Sequence, residues 1–395
     1  MEIFGLLLFI FGLLASVMVH EFGHYIFARK YGMRVSEFFV GFGKRIWSTQ
    51  RGETEFGIKA IPAGGYCRIE GMTPTDVMPE GEADRAFIKA SVPKKLAVLG
   101  AGSAGHFIVG YLLLAILLVG VGTTGALPTI KEIVPCVPDA TYKCKTTDPV
   151  SPAKAAGLMA GDKVLKVDGK NVKRWGEEIA KVRKAPGKDV VLTIERDGAV
   201  QDLTVTPAAR KYDGSTYGFI GIINDVGLVK SAPLQGAADA GRITWFMLTT
   251  SVKSLIQLPA KIPALVRQTF GGEERDPEGP VGVVGVARVS GETAATAGLT
   301  FNERIATFLL IIASLNIFVG LFNLLPLLPL DGGHMAVAAT DGVRNWIARL
   351  RGRAKPEPIN VNKLMPVTVA VFSILIALTV LLLIADIVNP VHLIR

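Results

Sequence analysis

Four stretches of the chain are apolar enough and long enough to cross a membrane as helices. They lie at residues 3–28, within 96–127, within 305–330 and at 364–385. The second and third contain no Lys, Arg, Asp or Glu, and residues 3–19 carry no charge. Because a helix needs about 20 apolar residues to cross a bilayer, the pattern predicts a polytopic α-helical membrane protein with about four transmembrane helices. A shorter apolar run at 243–252 predicts an interfacial or buried helix.

Between the first two stretches the pattern changes to short alternating segments. Residues 54–60 alternate in character, Pro62-Ala63-Gly64-Gly65 is typical of a turn, and residues 66–69 can return as a strand. We therefore expect a β-hairpin beside the membrane. Its open strand edge can hydrogen-bond an extended peptide. A solvated cytoplasmic hairpin is the alternative.

The central region has the pattern of a small soluble domain. Residues 151–169 contain a short helix signal and a glycine-rich turn, and residues 190–196 and 202–206 alternate as strands. This region closely resembles a PDZ domain of the kind found in bacterial proteases, here an extracytoplasmic α+β domain over about 128–210. The resemblance implies a groove that binds a peptide or a free carboxyl terminus by strand addition. A domain that only excludes bulky substrates is the alternative.

The charges indicate how the chain is oriented. The net charge is +9 over 395 residues, of which 50% are hydrophobic. Neither a basic helix nor an aromatic-interleaved basic patch is present, so nucleic acid is not an expected partner. Lys and Arg concentrate at 29–95 and 344–363, which predicts that these loops are cytoplasmic and that both termini and the PDZ domain are extracytoplasmic. We expect a multi-pass protein of a bacterial plasma membrane, in contact with its lipid.

The three cysteines divide into a pair and a single residue. Cys136 and Cys144 are close together in the region expected outside the cytoplasm, where oxidising conditions permit a disulfide. Two free thiols are the alternative. Cys67 is isolated in the expected hairpin and is interpreted as inert.

The first apolar stretch contains an HExxH motif, with His20, Glu21 and His24. At positions i and i+4 the two imidazoles share one helix face and can bind one metal ion, and Glu21 can act on a metal-bound water. Ionisable groups are costly inside a bilayer, which indicates a function. A helix with incidental histidines is the alternative.

A catalytic zinc site takes three protein ligands and leaves one position open. Asp331 is the best third candidate, because the string from Asn323 to Gly333 contains two prolines that break a helix and two glycines that permit a tight turn. His106 and His334 are the other histidines near apolar stretches. Asp331 as an ordinary helix-ending residue is the alternative.

Together, HExxH in the first span, NxxPxxPLDGG in a later span and a PDZ domain between them resemble the site-two protease family. These are intramembrane zinc metalloproteases, and the architecture is similar to the branch that cleaves anti-sigma factors, in particular its actinobacterial members with one PDZ domain. The resemblance implies Zn²⁺ as cofactor, held by His20, His24 and Asp331, with Glu21 as the catalytic base.

The resemblance also implies roles for other parts of the chain. Asn323 is expected to hold substrate, and the hairpin with Gly64 and Gly65 is expected to lie beside the site. Residues 276–294 resemble a region that helps to gate substrate. The implied partners are single-pass membrane proteins such as anti-sigma factors that have already been shortened.

The chain departs from the family at one place. Many members carry Gly-Pro-x-x-Asn early in the second span, where this chain has Ser103 for the proline and His106 for the asparagine. His106 can donate a hydrogen bond to the oxyanion or serve as an auxiliary ligand. Alternatively, it is simply bonded to a neighbouring helix.

The sequence thus predicts an intramembrane zinc metalloendopeptidase. A non-catalytic zinc-containing receptor or scaffold that works through its PDZ domain is the alternative function. The expected segments are 1–30, 31–95, 96–127, 128–210, 211–302, 303–333, 334–363, 364–388 and 389–395. In this order they are the first span, the hairpin region, the second span, the PDZ domain, an amphipathic and gating segment, the third span, a basic cytoplasmic loop, the fourth span and a tail.

Overall fold

The computed structural model of the chain describes residues 2–73, 75–138, 144–172, 174–212, 215–276, 279–296 and 298–390. Within these ranges, four helices are long and apolar enough to cross a membrane, which confirms the number predicted from the sequence. They are Ile3–Lys30, Val92–Val121, Phe301–Asn323 and Val361–Val388.

The helices and strands are numbered in chain order. The helices are α1 Glu2–Lys30, α2 Val92–Ile116, α3 Pro152–Ala155, α4 Trp175–Arg183, α5 Pro233–Phe270, α6 Val283–Ala295, α7 Phe301–Asn323, α8 Asp331–Leu350 and α9 Met365–Val388. The strands are β1 Val35–Arg51, β2 Thr54–Ile69, β3 Thr123–Ile133, β4 Lys163–Val167, β5 Lys170–Asn171, β6 Val190–Arg196, β7 Ala199–Val205, β8 Ala208–Tyr212, β9 Ser215–Phe219 and β10 Ile222–Val229.

The chain folds into two compact units. One is Leu118–Gly236, and the other combines the residues before it with those after it. The larger unit contains all the long helices and the first two strands, and we call it the membrane unit. The smaller unit contains the remaining strands.

Small residues bring the membrane helices close together. A Cβ on Gly23 of α1 would lie 2.5 Å from the carbonyl oxygen of Ala101 on α2, and one on Gly110 of α2 would lie 2.8 Å from the Ile317 side chain on α7. A Cβ on Gly5 of α1 would meet the carbonyl oxygen of Ser290 on α6 at 2.7 Å. Close backbone approach through small residues is the usual way in which membrane helices pack. Helix α2 is therefore enclosed between α1 and α7.

The second membrane helix differs in extent from the predicted span of 96–127. It begins at Val92, and Pro93 occupies its first turn. Proline is tolerated there because the N–H groups of the first turn have no partner within the helix. A π-helical turn, Leu117–Val121, follows it. The helix cannot continue beyond Gly122, which has a φ of +101° and leads into β3. Residues 123–127 are therefore strand, not helix.

The hairpin is longer than predicted, and its turn lies elsewhere. β1 and β2 are joined at Gly52, whose φ is +64°, and Gly64 and Gly65 lie inside β2. Residues 35–40 of β1 pair with residues 65–69 on one side and with residues 55–58 on the other. The predicted pairing of 54–60 with 66–69 is therefore wrong, because residues 35–40 of β1 lie between these two segments.

The smaller unit is a β-sheet with short helices. Its main sheet has the strand order β10-β3-β4-β6-β7, with β5 paired to β4, and β8 and β9 form a separate two-stranded sheet. Its core includes the fully buried side chains of Ile130, Leu192 and Ile194. Cys136 and Cys144 are joined in a disulfide. The sequence placed residues 211–302 in an amphipathic and gating segment, whereas β9 and β10 belong to this unit and α5 follows as one helix of 38 residues.

Candidate metal centre

Three predicted ligands converge in the membrane unit. His20 and His24 lie one turn apart on α1, and Asp331 is the first residue of α8. One ligand atom from each lies within 4.8 Å of the others, and within the described ranges these residues form the only such group of His, Cys, Asp or Glu. The structure therefore brings together residues separated by about three hundred positions.

The three ligand atoms form a small triangle. His20 Nε2 and His24 Nε2 are 3.0 Å apart, and Asp331 Oδ2 lies 3.1 Å from the first and 3.2 Å from the second. Ligands of a tetrahedral zinc ion with bonds of about 2.0–2.2 Å are about 3.4 Å apart. The spacing of the three atoms therefore fits a zinc ion.

The hydrogen bonds of the site support this fit. Nδ1 of His24 lies 2.8 Å from the carbonyl oxygen of Val98, which can only accept, so Nδ1 carries the hydrogen and Nε2 carries a lone pair. Asp331 Oδ2 is buried without a hydrogen-bond partner. Lone pairs that converge in this way repel one another unless a cation lies between them, and a metal-ligating histidine usually donates its other N–H as His24 does.

Glycines make room for the ligands. A Cβ on Gly102 of α2 would lie 2.6 Å from both His20 Cε1 and His24 Nε2. Where the chain turns from α7 into α8, a Cβ on Gly332 would lie 2.3 Å from the carbonyl oxygens of Leu324 and Leu325, and one on Gly333 would collide with Leu327 and Leu328. Since backbone atoms cannot give way cheaply, the two glycines allow the tight turn that places Asp331.

Glu21 is held by the hairpin. The backbone N–H of Cys67 on β2 donates a hydrogen bond of 2.8 Å to Glu21 Oε2. Beside this contact, a Cβ on Gly65 would lie 2.4 Å from Met18 Sδ on α1, so β2 packs directly against the helix that carries the motif. The carboxylate next to the metal ligands is therefore positioned by a main-chain donor.

The other residues singled out in the sequence fall in different places. Asn323 ends α7, eight residues before Asp331. Gly64, with a φ of +140°, lies against the ring of Phe42. His106 is buried, with its ring centroid 5.0 Å from that of His20. His334, one turn into α8, is not in the ligand triangle.

The sequence alone did not predict the roles of Gly102, which makes room for both histidine rings, or of Ser16 and Asn316, which form a hydrogen-bond network with His106. His106 Nδ1 lies 2.9 Å from Asn316 Oδ1, and Asn316 Nδ2 donates to Ser16 Oγ at 2.9 Å. All three polar side chains are buried. Single polar residues in otherwise apolar spans are costly in a bilayer and tend to find one another, and this signal was present in the sequence.

Comparison with known proteins agrees with the geometry. The sequence profile of peptidase family M50 matches residues 8–366. Zinc metalloprotease Rip1 of Mycolicibacterium smegmatis is 39% identical over 413 residues, which cover 98% of each chain. Rip1 of Mycobacterium tuberculosis is 36% identical over 414 residues, covering 100% of this chain and 99% of the relative.

A more distant relative is the regulator of sigma-E protease RseP of Escherichia coli. It is 25% identical over 426 residues, covering 85% of this chain and 90% of the relative. Because these relatives are named proteases, they do not favour a non-catalytic receptor. With its four apolar helices and its match along nearly the whole chain, this protein is a membrane zinc metalloprotease that belongs to peptidase family M50, the site-two protease family.

Proposed function

We propose that this enzyme hydrolyses a peptide bond within or near the transmembrane segment of single-pass membrane proteins. The observation that carries the proposal is the triangle of His20, His24 and Asp331 on helices that can span a membrane. The names of the relatives support proteolysis, and the sigma-E regulator among them supports a substrate class like anti-sigma factors.

Each residue of the site has a distinct task in this proposal. His20, His24 and Asp331 hold zinc. When bound, zinc supplies a Lewis acid that polarises the scissile carbonyl and activates water at neutral pH. Glu21 takes the proton from the attacking water and passes it to the leaving amine. Cys67 N–H keeps the Glu21 carboxylate in place, and Asn323 contacts the substrate.

The edge strand of the hairpin can hydrogen-bond a substrate segment that has unwound from its helix. A transmembrane substrate arrives as a helix with its amides paired, and cleavage requires an extended backbone. Segment 65–69 pairs with residues 35–40 on one side, and on its other side Cys67 N–H reaches the active site. A substrate strand that pairs with this edge replaces its lost helical hydrogen bonds. Gly64 and Gly65 lie at the start of the edge.

We propose that the smaller unit is an extracytoplasmic PDZ domain that binds a peptide or excludes intact ectodomains. Strand addition needs a free edge, and β10 and β7 are the outer strands of its sheet. A peptide with a free carboxyl terminus that binds the full chain no better than its amidated form would contradict the peptide-binding role. Residues 276–294 would help to gate the substrate.

We further propose that the loop around Gly352 is cytoplasmic, since Lys and Arg collect there. Both termini would then lie outside, and the metal centre would lie toward the cytoplasmic side. A protease site inserted after Gly352 should be protected in intact cells. Cleavage there by an external protease would reverse the proposed orientation.

The decisive experiment is cleavage of a shortened membrane substrate by the Glu21→Gln enzyme in detergent. We expect activity to fall by about 10²–10⁴-fold, the usual contribution of a general base, with zinc content unchanged because all three ligands remain. Glu132→Gln on the exposed part of β3 is the matched control and should retain full activity. Cleavage by Glu21→Gln at the wild-type rate would exclude this mechanism.

A further inference from the structure

His106 belongs to a chain of hydrogen bonds that fixes its tautomer. Asn316 Nδ2 lies 2.8 Å from the carbonyl oxygen of Ile312 and 2.9 Å from Ser16 Oγ. Since the carbonyl can only accept, the amide nitrogen must face it, and Asn316 Oδ1 must face His106. His106 Nδ1, at 2.9 Å from this oxygen, therefore carries the hydrogen. In the neutral ring, Nε2 is then a hydrogen-bond acceptor.

Ser16 completes the chain and makes it directional. Its hydroxyl donates to the carbonyl oxygen of Gly12 at 2.8 Å, so its oxygen is available to accept from Asn316. The hydrogen bonds therefore run from α2 through α7 to α1. The network leaves His106 no hydrogen on Nε2, so as a neutral ring it cannot donate to an oxyanion.

His20, in contrast, has a hydrogen-bond donor without an acceptor. If Nε2 of His20 holds the metal, its Nδ1 carries a hydrogen. Nδ1 is buried and has no hydrogen-bond partner, whereas the equivalent nitrogen of His24 donates to Val98. Histidine ligands almost always donate this second N–H, which fixes the ring and strengthens the metal bond. The His20 donor therefore lacks the acceptor that the His24 donor has.

The acceptor and the donor lie on facing sides of the α1–α2 contact. The His20 and His106 ring centroids are 5.0 Å apart, and both residues are buried. Gly102, one turn before His106 on α2, lies against the Nδ1 edge of His20, where a Cβ would be 2.7 Å from that nitrogen. The face of α2 that contains Gly102 and His106 is therefore the face that the His20 donor meets.

We propose that His106 is the positioning residue for His20. After a small rotation of the His20 ring, whose Nδ1 has no partner as placed, Nε2 of His106 accepts the Nδ1 hydrogen of His20. This bond holds the His20 ring with the Nε2 of His20 turned toward the metal. Asn316 and Ser16 support this role by keeping the hydrogen of His106 on Nδ1. The inference rests on the proposed metal site. It gives His106, the residue that departs from the family pattern, a role in orienting the ligand His20.

Zinc affinity of the detergent-solubilised full chain, measured by competition with a chromogenic chelator, tests the proposal. His106→Gln places an acceptor near the position of Nε2, and His106→Asn places its polar atoms near Nδ1. We expect His106→Leu and His106→Asn to bind zinc about 10–100-fold more weakly than wild type, as for other residues that orient ligands. His106→Gln should stay within about threefold of wild type.

The two amide variants separate positioning from packing. If His106 served only the contact with Asn316, Asn would rescue zinc binding and Gln would not, and this result would overturn the proposal. Wild-type affinity in His106→Leu would overturn it as well. Ser103→Ala, an equally buried neighbour on α2, is the control and should bind zinc normally. The melting temperature of each metal-free variant reports whether the fold is intact.

His24→Ala separates this proposal from the metal site on which it rests. We expect that variant to lose zinc. Wild-type zinc affinity in His24→Ala would show that the metal site itself is misplaced, and the proposal would fall with it. Loss of zinc in His24→Ala with normal binding in His106→Leu would overturn the role of His106 alone.

Discussion

The Glu21 carboxylate and the Cys67 residue that holds it affect each other. Cys67 donates its backbone N–H to Glu21, and its side chain is half-buried. Burial and, to a smaller extent, the negative charge of Glu21 together raise the pKa of the Cys67 thiol to about 12. Both causes disfavour the thiolate. The main chain of Cys67 therefore serves the site, while its side chain is kept in the unreactive thiol form.

The thiol of Cys67 should accordingly resist alkylation. At pH 8 a thiol pKa near 12 leaves about a thousandfold less thiolate than an ordinary cysteine has, and the thiolate is the nucleophile. We expect iodoacetamide to modify the folded enzyme very slowly, at a rate that keeps rising above pH 10. The denatured, unreduced chain is the control and should react at an ordinary rate. A rate that levels off near pH 9 would contradict the raised pKa.

At the scale of elements, two glycines of α2 differ in how closely other residues approach them. Gly102 faces both histidine ligands, while Gly100 on the same helix is nearly free, since a Cβ there would meet only Met335 Cε at 3.8 Å. Alanine is about 1 kcal/mol better than glycine inside a helix, so neither position is glycine for the sake of the helix. At Gly102 the reason is the space that the His20 and His24 rings occupy.

Gly102→Ala should therefore lose zinc, while Gly100→Ala should not. In Gly102→Ala the new methyl group would lie 2.6 Å from atoms of both histidines and push at least one ligand out of the triangle. We expect zinc content and cleavage to fall by at least about tenfold. The metal-free protein should lose at most about 2 kcal/mol of stability, because overpacking costs about 1–3 kcal/mol and alanine returns about 1 kcal/mol inside a helix. Equal zinc content in the two variants would contradict this reading of α2.

The sequence predicts single elements better than it predicts contacts between them. The i, i+4 spacing of His20 and His24 and the broken helix before Asp331 were enough to propose the residues that the structure brings together. The four apolar helices were also predicted. The contact of Asn316 with His106 was not, because the spacing of residues along one helix does not specify which face meets its neighbour.

The hairpin shows a second limit. Pro62 to Gly65 has the composition of a turn, yet it lies within β2, and the observed turn at Gly52 was overlooked. The pairing of residues 35–40 with two separate segments outweighs the local turn preference. The turn preference of a few adjacent residues cannot predict such a pairing, because the paired residues are up to 34 positions apart in the chain.

At the scale of the whole molecule, the last membrane helix is tied to the others near its carboxyl end. Asp386 on α9 is 1% exposed and accepts hydrogen bonds from Gly282 N at 3.0 Å and Gly285 N at 2.8 Å. It thus caps α6 from another helix. Asn389 donates to the carbonyl oxygens of Gln268 and Glu273. The region proposed to gate the substrate is therefore held by the end of α9.

Asp386→Asn should loosen this attachment. Hydrogen bonds to a charged acceptor are stronger by about 1 kcal/mol than those to a neutral one. We expect each of the amides of Gly282 and Gly285 to exchange hydrogen roughly fivefold faster in the variant, as hydrogen-exchange measurements would show. Thr379→Val is the control, because the Thr379 hydroxyl bonds only within α9. Unchanged exchange at both glycines would show that Asp386 does not hold the start of α6.

The order of the ligands along the chain has a consequence for biosynthesis. His20 and His24 are made first, the smaller unit follows, and Asp331 comes only after α7. A nascent chain that has inserted its first two helices has no complete zinc site. If these residues are the zinc ligands, as proposed, the enzyme would gain proteolytic activity only late in its synthesis, after the smaller unit has been made, and a chain that ends before residue 331 would not cleave membrane proteins.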